Sequence, residues 1–437
     1  MTSFTSLPSW ILEYLGFRSS YPPLTDFGAS ISEIQWEKAL HEMDSGGMVF
    51  HFLSKMTVRG DLKLLPPRIQ ERLFRNLRDQ SQRQTVICKE FLELNRLLKQ
   101  EGVRYLCLKG LTSYPEFIED PLYRVQYDFD FFVYEDDLRK AGTQFRALGF
   151  EPLASKPNAH THHLPTMIKR NGWEWRGNHY DPGIPCSVEL HFRIWDGEFE
   201  SISASQSPDR WQTPTSSEIH GVPVPVLGKS EAFLFAIQHA MRHLLGNDLR
   251  LSHLYELAFF LNRNAERSAF WKELLGRVKD FPEGSRNMAI ILQLARHCFQ
   301  PHCSPHLEEL FAGHLTQTSK LWIQRFGRRE ALSSFRKSKS GLLLQMDCQG
   351  KSISGWSIAW KRLFPHRLPL ISFGTQVPEN EKTPWQKYRE RLSLLRHLWI
   401  RSLFHLGSLL NFLWQYPIWK ITLSWNQLRL NHPRIRG

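Results

Sequence analysis

The 437-residue sequence predicts an α/β fold of the α+β type, in which helical segments precede and follow a central group of strands. Residues 31–56 and 66–101 place apolar side chains at helical spacing. Residues 105–195 contain short apolar runs bounded by glycine and turn residues, a pattern that indicates strands. Helical spacing returns at residue 229 and continues to about residue 335.

The order of these patterns divides the chain into five regions. They are an N-terminal helical region (1–100), a strand-containing core (101–230), a helical domain (231–335), an irregular linker (336–390) and a basic, Trp-rich helical tail (391–437). The linker is predicted from its many Ser, Gly, Pro and Lys residues. Within the core, residues 201–229 are rich in Ser, Pro and Thr, which predicts a surface loop with a short extended piece.

Composition indicates a folded protein of the cytoplasm. Hydrophobic residues make up 41% of the chain and charged residues 23%, which is ordinary for a globular protein. The first residues lack a basic start followed by an uninterrupted apolar run, so we predict no signal peptide. The six cysteines show no paired spacing, which favours a reducing compartment over a disulfide-linked, secreted protein.

The positive charge is concentrated near the C-terminus. Residues 351–437 hold 14 Lys/Arg and 3 Asp/Glu, a net charge of +11 out of +13, and seven of the 15 Trp. The uncharged stretch 402–419 is interrupted by Pro417 and is short for a membrane span, which needs ~20 apolar residues. We predict that residues 391–430 contact a membrane surface or a protein partner. Two other roles for this segment are less favoured: first a helix packed in the protein core, and then a contact with nucleic acid.

The strongest chemical signal is a pair of acids in the apolar run "VQYDFDFFVY". In a strand, Asp128 and Asp130 face the same side, ~6.5–7 Å apart. A buried, unpaired carboxylate costs several kcal/mol, so we expect a positive partner beside them. Two carboxylates at this spacing suit Mg²⁺ or Mn²⁺, which also bind substrate phosphates. Glu189, in the strand pattern "SVELHFRI", is the candidate third acid.

A candidate phosphate-binding turn precedes these acids. Gly110 follows a short apolar strand, and a glycine there lets backbone N–H groups approach a phosphate at a helix N-terminus. Lys109 and Arg124 add positive charge at the same place. In this order the features predict a site for a nucleoside triphosphate with magnesium.

Three motifs together resemble the uncharacterised nucleotidyltransferase family of the polymerase-beta superfamily. They are L-K-G at Leu108 to Gly110, R-x-x-x-D-x-D at Arg124 to Asp130, and E-L-H-F-R at Glu189 to Arg193. The flanking helical segments also fit, so the likeness extends over roughly residues 35–262.

This resemblance implies a small mixed sheet flanked by helices, a polymerase-beta-like nucleotidyltransferase core with helical additions at both ends. It implies that Asp128, Asp130 and Glu189 bind two divalent ions, Mg²⁺ or Mn²⁺, and that Gly110 lines the triphosphate pocket. Leu111 follows Gly110 where the superfamily usually has Ser or Gly. The implied reaction moves a nucleoside monophosphate from the triphosphate to an acceptor and releases pyrophosphate.

Other interpretations remain open from the residues alone. Asp128 and Asp130 also fit a glycosyltransferase, in which a D-x-D pair holds a sugar nucleotide through a metal ion without a third acid. A non-catalytic nucleotide-binding or scaffold protein is a further alternative, with the tail's partner as its function. In a purely structural interpretation, Asp128, Asp130 and Glu189 are ordinary charges of half-buried strands. Lys109 and Arg124 are then ordinary surface charges.

Several histidines lie near these motifs. We expect His191 to face the side of the strand opposite to Glu189, in a packing role. His160, His162 and His163 are expected at a strand edge near the pocket, without an assigned role.

Two further histidine-containing segments resemble metal motifs without matching one. His239 and His243 are four residues apart but lack the Glu of a metalloprotease helix, so we expect them in a helix packed under the sheet. Residues 297–306 combine His and Cys at no standard zinc spacing, and a helix end followed by a loop is expected there.

Overall fold

A computed structural model describes residues 8–18, 24, 31–153, 163–193, 214–278, 282–332, 339–348, 355–364 and 382–431. The helices before the sheet are α1 (Trp10–Leu15), α2 (Glu33–Gly46), α3 (Val49–Arg59) and α4 (Pro67–Gln100). Ser32 caps α2 by accepting a hydrogen bond from the backbone N–H of Gln35, and Gly47 ends it at φ +71°. The amphipathic stretch that follows forms one helix of 34 residues, begun by a proline at its first position.

The described strands form one seven-stranded mixed sheet. They are β1 (Tyr105–Cys107), β2 (Asp128–Val133), β3 (Phe150–Pro152), β4 (Met167–Lys169), β5 (Ser187–His191), β6 (Thr215–Ile219) and β7 (Val222–Val226). Their order is β3-β4-β5-β2-β1-β7-β6. Strand β2 runs parallel to β5 and antiparallel to β1, and β1 runs parallel to β7. The predicted fold class, a small mixed sheet between helical additions, is confirmed.

One face of this sheet is apolar because β2 alternates acids with phenylalanines. Phe129 and Phe131 are fully buried against Phe91 of α4, and the rings of Phe91 and Phe131 are stacked with centroids 5.9 Å apart. Helix α5 (Glu135–Ala147) adds Phe145 to the same cluster. Burial of these side chains determines the register of β2, since a one-residue shift would turn the acids into the core.

The hairpin β6–β7 is more regular than predicted. Residues 201–229 were expected to form a loop with a short extended piece, whereas Thr215–Ile219 and Val222–Val226 pair as antiparallel strands. His220 and Gly221 connect them with φ values of +48° and +75°, which is typical of a two-residue hairpin turn. Pairing of β7 with β1 extends the sheet behind the candidate site.

The helices after the sheet form the largest apolar core. They are α6 (Lys229–Gly246), α7 (Leu251–Arg263), α8 (Ser268–Val278), α9 (Pro282–Phe299), α10 (His306–His314), α11 (Gln317–Trp322), α12 (Arg328–Ala331), α13 (Ser340–Asp347), α14 (Gly355–Leu363) and α15 (Pro384–Asn431), with a π-helical turn (Ile323–Gly327) between α11 and α12. The cluster extends from Ile11 of α1 to Trp419 of α15, so helices from both ends of the chain share it.

The segment predicted to be irregular contains helices. Both α13 and α14 lie between residues 336 and 390. Leu343 and Leu344 of α13 are buried in the shared core, and this burial outweighs the low helical signal of the neighbouring Ser, Gly and Lys residues. Among the described residues, no helix has a run long and apolar enough to cross a membrane.

A buried histidine makes the helical core sensitive to acid. His51 of α3 is 1% exposed, and its ring packs against Tyr123 and Tyr255. Burial, with the positive charges of Lys55 and Arg124, lowers the pKa of His51 to about 3. The unfolded chain takes up this proton near pH 6.5, so the stability contributed by neutral His51 is present above that pH. It is lost as the pH falls toward 3, by about 1.4 kcal/mol per pH unit.

We therefore expect that His51→Phe loses less unfolding free energy between pH 6.5 and pH 5 than the wild type. The phenyl ring fits an aromatic site, and the buried His51 Nδ1 has no hydrogen-bond partner to lose. Urea unfolding at both pH values measures this difference. The exposed His220→Asn is the control and should keep the wild-type slope; equal slopes in all three proteins would contradict the prediction.

Candidate active site

Two of the predicted acids meet across the parallel pair β2–β5. Asp130 lies in direct register with Glu189, and Asp128 with Ser187. One ligand atom each of Asp130, Glu189 and His191 lies within 4.8 Å of the others. The Asp130 side chain is 2% exposed and that of Glu189 is 22% exposed, so the cluster is buried at one end and accessible at the other.

Lys109 is the positive partner expected for the paired acids. Its Nζ lies 3.4 Å from Asp128 Oδ2 and 3.2 Å from Asp130 Oδ2. It follows β1, whose ladder with β2 continues through a hydrogen bond from the Leu108 N–H to the Asp130 carbonyl. Burial would lower the pKa of Lys109, but the charges of Asp128, Asp130 and Glu189 outweigh it and raise the pKa. The ammonium group is therefore charged at neutral pH.

The two aspartates differ in their electrostatic surroundings. Burial raises the pKa of Asp128 and outweighs the opposing effect of Lys109. Burial acts on Asp130 in the same direction, but Lys109 and the hydrogen bond from His191 lower the pKa of Asp130 overall. Of the two aspartates, Asp130 is thus the one whose ionised form its surroundings favour.

His191 belongs to this cluster, and its predicted orientation is wrong. Residues two apart on a strand face the same side, so His191 shares a face with Glu189 rather than opposing it. Its Nε2 lies 3.0 Å from Asp130 Oδ1 and 3.4 Å from Glu189 Oε2. Burial opposes protonation, but these two carboxylates raise the pKa of His191, and through His191 the pKa of Glu189 is lowered well below its usual value.

Gly110 adopts a conformation that a side chain would disrupt. Its φ is +81°, and a Cβ atom there would lie 2.4 Å from Gln126 Nε2. Gln126 Nε2 in turn donates a hydrogen bond of 2.6 Å to the Asp128 carbonyl, so this close contact supports the start of β2. The chain continues as a single 3₁₀ turn, Gly110–Ser113, and this short turn does not supply the dipole of a longer helix.

Arg124 lies beside Lys109 but is paired with another element. Its Nε donates to Glu256 Oε1 of α7 over 2.9 Å. Arg124, Glu256 and Lys109 line a cavity of about 70 Å³, together with His239 of α6. The structure therefore brings all six predicted site residues to one region, with Arg124 joined to the helical domain.

Arg83 is a supporting residue that the sequence reading missed. It is 1% exposed on α4, and its guanidinium donates to the carbonyls of Ile184 at 2.7 Å and Gln126 at 2.9 Å. These bonds connect α4 to the segments that enter β5 and β2. The sequence feature that could have identified Arg83 is its position on the apolar face of α4, four residues before the buried Ile87.

Thr166 was also missed, and no local pattern distinguishes it. Its hydroxyl donates to Glu189 Oε1 over 3.0 Å, which orients that carboxylate. Of the predicted histidines, His163 bridges to His191 with ring centroids 5.3 Å apart. His160 and His162 lie outside the described residues.

Acids that meet across two adjacent parallel strands, with a lysine beside them, are the kind of site that handles nucleotide phosphates with a divalent ion. The model of the family described as "Uncharacterised nucleotidyltransferase" matches residues 32–300, more than half of the chain, and the protein belongs to this family. This membership supports a transferase with a nucleotide substrate. No curated protein and no solved structure shows a significant match.

Proposed function

We propose that the protein is a Mg²⁺- or Mn²⁺-dependent nucleotidyltransferase. It moves a nucleoside monophosphate from a nucleoside triphosphate, such as ATP, to an acceptor and releases pyrophosphate. The observation that carries the proposal is the register of Asp130 with Glu189, which joins the predicted third acid to the aspartate pair beside Lys109.

The donor atoms of this cluster fit a hard divalent cation. Asp128, Asp130 and Glu189 offer carboxylate oxygens, the ligands that Mg²⁺ prefers. Asp130 Oδ2 is buried and accepts no hydrogen bond, although Lys109 lies 3.2 Å away. These three acids would hold the ion, which supplies charge neutralisation on the triphosphate and on the pyrophosphate that leaves.

The remaining residues of the cluster hold the acids and receive the phosphates. His191 donates to Asp130 Oδ1 and Thr166 donates to Glu189 Oε1, so each carboxylate keeps one oxygen oriented by the protein. Lys109 lies on the wall of the cavity, and its flexible stem lets the ammonium group reach a phosphate oxygen. Arg124 lies on the same wall and adds positive charge for the phosphates.

Binding requires the site to widen. The cavity beside Lys109 measures about 70 Å³, whereas pockets for ligands of this size occupy roughly 300–1,000 Å³. Phe235 and His239 of α6 form one wall of the cavity and separate it from a smaller one beside Asp130. Movement of the Phe235 side chain would join the spaces.

The test is a thermal-shift panel of nucleoside triphosphates and sugar nucleotides, each with and without Mg²⁺. We expect at least one triphosphate to stabilise the wild type in a Mg²⁺-dependent manner, by about 2.7 kcal/mol at 100 times its Kd. Glu189→Gln keeps the shape of the side chain but removes its charge, and it should weaken this response at least tenfold. Glu218→Gln, an exposed glutamate of β6, is the matched control and should behave as the wild type.

The outcomes separate the candidate functions. A response to sugar nucleotides alone that survives Glu189→Gln would indicate a D-x-D glycosyltransferase, which needs no third acid. Binding of triphosphate without pyrophosphate release, across a panel of acceptors, would indicate a nucleotide-binding scaffold. Absence of any metal-dependent nucleotide response would reject the proposed site.

We also propose that the tail, residues 391–430, holds the enzyme at the cytoplasmic surface of a membrane. Helix α15 exposes large apolar side chains, with Trp399 at 67% and Trp414 at 74% exposure, while Phe412 and Trp419 are buried against the body. Arginines such as Arg396 accompany them, and a basic helix that exposes Trp and Leu suits an anionic lipid surface. The free state of all six cysteines supports a reducing compartment.

Sedimentation with vesicles tests this location. We expect the full chain to bind vesicles that contain an anionic lipid more strongly than neutral vesicles. Trp399→Glu/Trp414→Glu should release the protein, while Val58→Glu, at an exposed apolar position of α3, should not. Equal binding of all variants, or no binding to either vesicle, would contradict the membrane contact and leave a protein partner as the occupant.

A further inference from the structure

Three histidines converge beside the candidate active site. His239 and His243 lie one turn apart on α6, and His253 lies on the facing helix α7. Their ring centroids are separated by 4.4, 4.9 and 4.7 Å, so the three rings form a nearly equilateral triangle. One ring nitrogen of each lies within 4.8 Å of the others.

This geometry is close to that of a bound zinc ion. Zinc–nitrogen bonds measure ~2.0–2.1 Å, which places two nitrogens of a tetrahedral site about 3.4 Å apart. The present donors lie within 4.8 Å of one another, so zinc binding requires rotation of the rings to bring them closer. The rings are inclined to one another by 41–73° rather than stacked in parallel, so their edges are available to a common centre.

One contact outside the triangle and one ring nitrogen without a hydrogen bond fit a metal site. His243 Nδ1 lies 3.0 Å from Asp248 Oδ2, and a carboxylate in this position orients the other ring nitrogen toward a metal. His253 Nδ1 is buried and has no hydrogen-bond partner. If the ring served packing alone, burial of this nitrogen without a hydrogen bond would destabilise the fold, because buried polar atoms are normally paired.

We propose that His239, His243 and His253 bind a zinc ion whose fourth position faces the cavity beside Lys109. His239 and His253 both line that cavity. Three imidazoles with an open position are typical of zinc, whereas Mg²⁺ prefers the carboxylates of the neighbouring cluster. The zinc site is therefore chemically distinct from the Asp130 cluster and goes beyond the proposed transferase function.

The charges around the histidines indicate what the fourth ligand is. Lys109 lies on the wall of the cavity that His239 and His253 also line, and Arg250 precedes helix α7, which carries His253. The same positive charges favour an anion on the zinc, a hydroxide or a phosphate oxygen that enters from the cavity.

Metal uptake by the chelator-stripped full chain tests the site. In a Glu189→Gln background, which weakens binding at the carboxylates, we expect one equivalent of Zn²⁺ by calorimetry. Co²⁺ should give the visible absorption of a four-coordinate nitrogen site. His243→Gln should lose both signals, and Asp248→Asn should weaken Zn²⁺ binding 10- to 100-fold. His220→Asn, which removes an exposed histidine, should change neither signal.

Asp248→Asn is the second variant in case His243→Gln does not fold, because the Asp248 side chain is 42% exposed and the substitution leaves no cavity in the core. Failure of the Glu189→Gln protein to bind Zn²⁺ stoichiometrically would overturn the proposal. Equal affinity in Asp248→Asn and His220→Asn would overturn it as well. Neither result involves a nucleotide, so it leaves the transferase function to be judged separately.

Discussion

Asp130→Asn is expected to abolish the Mg²⁺-dependent stabilisation by a nucleoside triphosphate. Asp130 is the most buried acid of the cluster, it lies in register with Glu189, and Lys109 and His191 favour its ionised form. Asparagine has the same shape but one charged oxygen fewer, so both metal binding and the effect of the ion on the phosphates are lost. The wild type should gain about 2.7 kcal/mol of stability at a triphosphate concentration of 100 times Kd. In Asp130→Asn this stabilisation should fall below detection, and the rate of pyrophosphate release should fall as well.

The control for this variant is Asp136→Asn, which removes an acid of α5 whose side chain is 88% exposed. Circular dichroism should show that both variants fold. A wild-type response to Mg²⁺ and triphosphate in folded Asp130→Asn would exclude this cluster as the nucleotide site.

The second large effect is expected on stability. Lys109→Met should lower the free energy of unfolding by about 3 kcal/mol, the lower end of the range for a broken buried ion pair. Asp130 is buried and loses the lysine but keeps His191, and the side chain of Asp128 is 37% exposed, so water screens part of its charge. If the same acids bind a divalent ion, Mg²⁺ replaces the missing charge. Millimolar Mg²⁺ should therefore stabilise Lys109→Met more than it stabilises the wild type. Urea unfolding with and without Mg²⁺ measures both quantities.

Lys38→Met is the matched control, since Lys38 is exposed on α2 and the same substitution there should cost little. A loss below about 1 kcal/mol in Lys109→Met would show that the lysine does not neutralise the acids. A loss of the expected size without any additional Mg²⁺ effect would show that the acids are paired for structure only.

The spacing of apolar and polar residues along the sequence predicts much of the local structure. The alternation of Asp and Phe between Asp128 and Phe131 predicts a strand with one acidic and one apolar face, and the structure has that strand. Because residues two positions apart on a strand face the same side, this alternation also places His191 on the same face as Glu189. The helices α13 and α14 were missed because each is short and lies among Ser, Gly and Pro residues, and such short helices become ordered by burial against a distant core.

Which residues form the site was decided by strand pairing. The motifs place Asp128, Asp130 and Glu189 in the chain, but not the parallel register that sets Asp130 against Glu189. That register depends on the twist and packing of the whole sheet, and residues 59 positions apart carry no local signal of it. Arg83 and Thr166 illustrate the same limit, since each acts through a partner far away in sequence.

Local patterns therefore determined the strand that carries the acids, the glycine after β1 and the amphipathic helices, because each depends on residues a few positions apart. The tertiary structure alone decided that Lys109 neutralises Asp128 and Asp130, that Arg124 pairs with Glu256, and that His239 and His243 meet His253. The physical reason is that charge pairing and metal-binding geometry depend on distances in space, and packing of the sheet against α6 and α7 sets those distances.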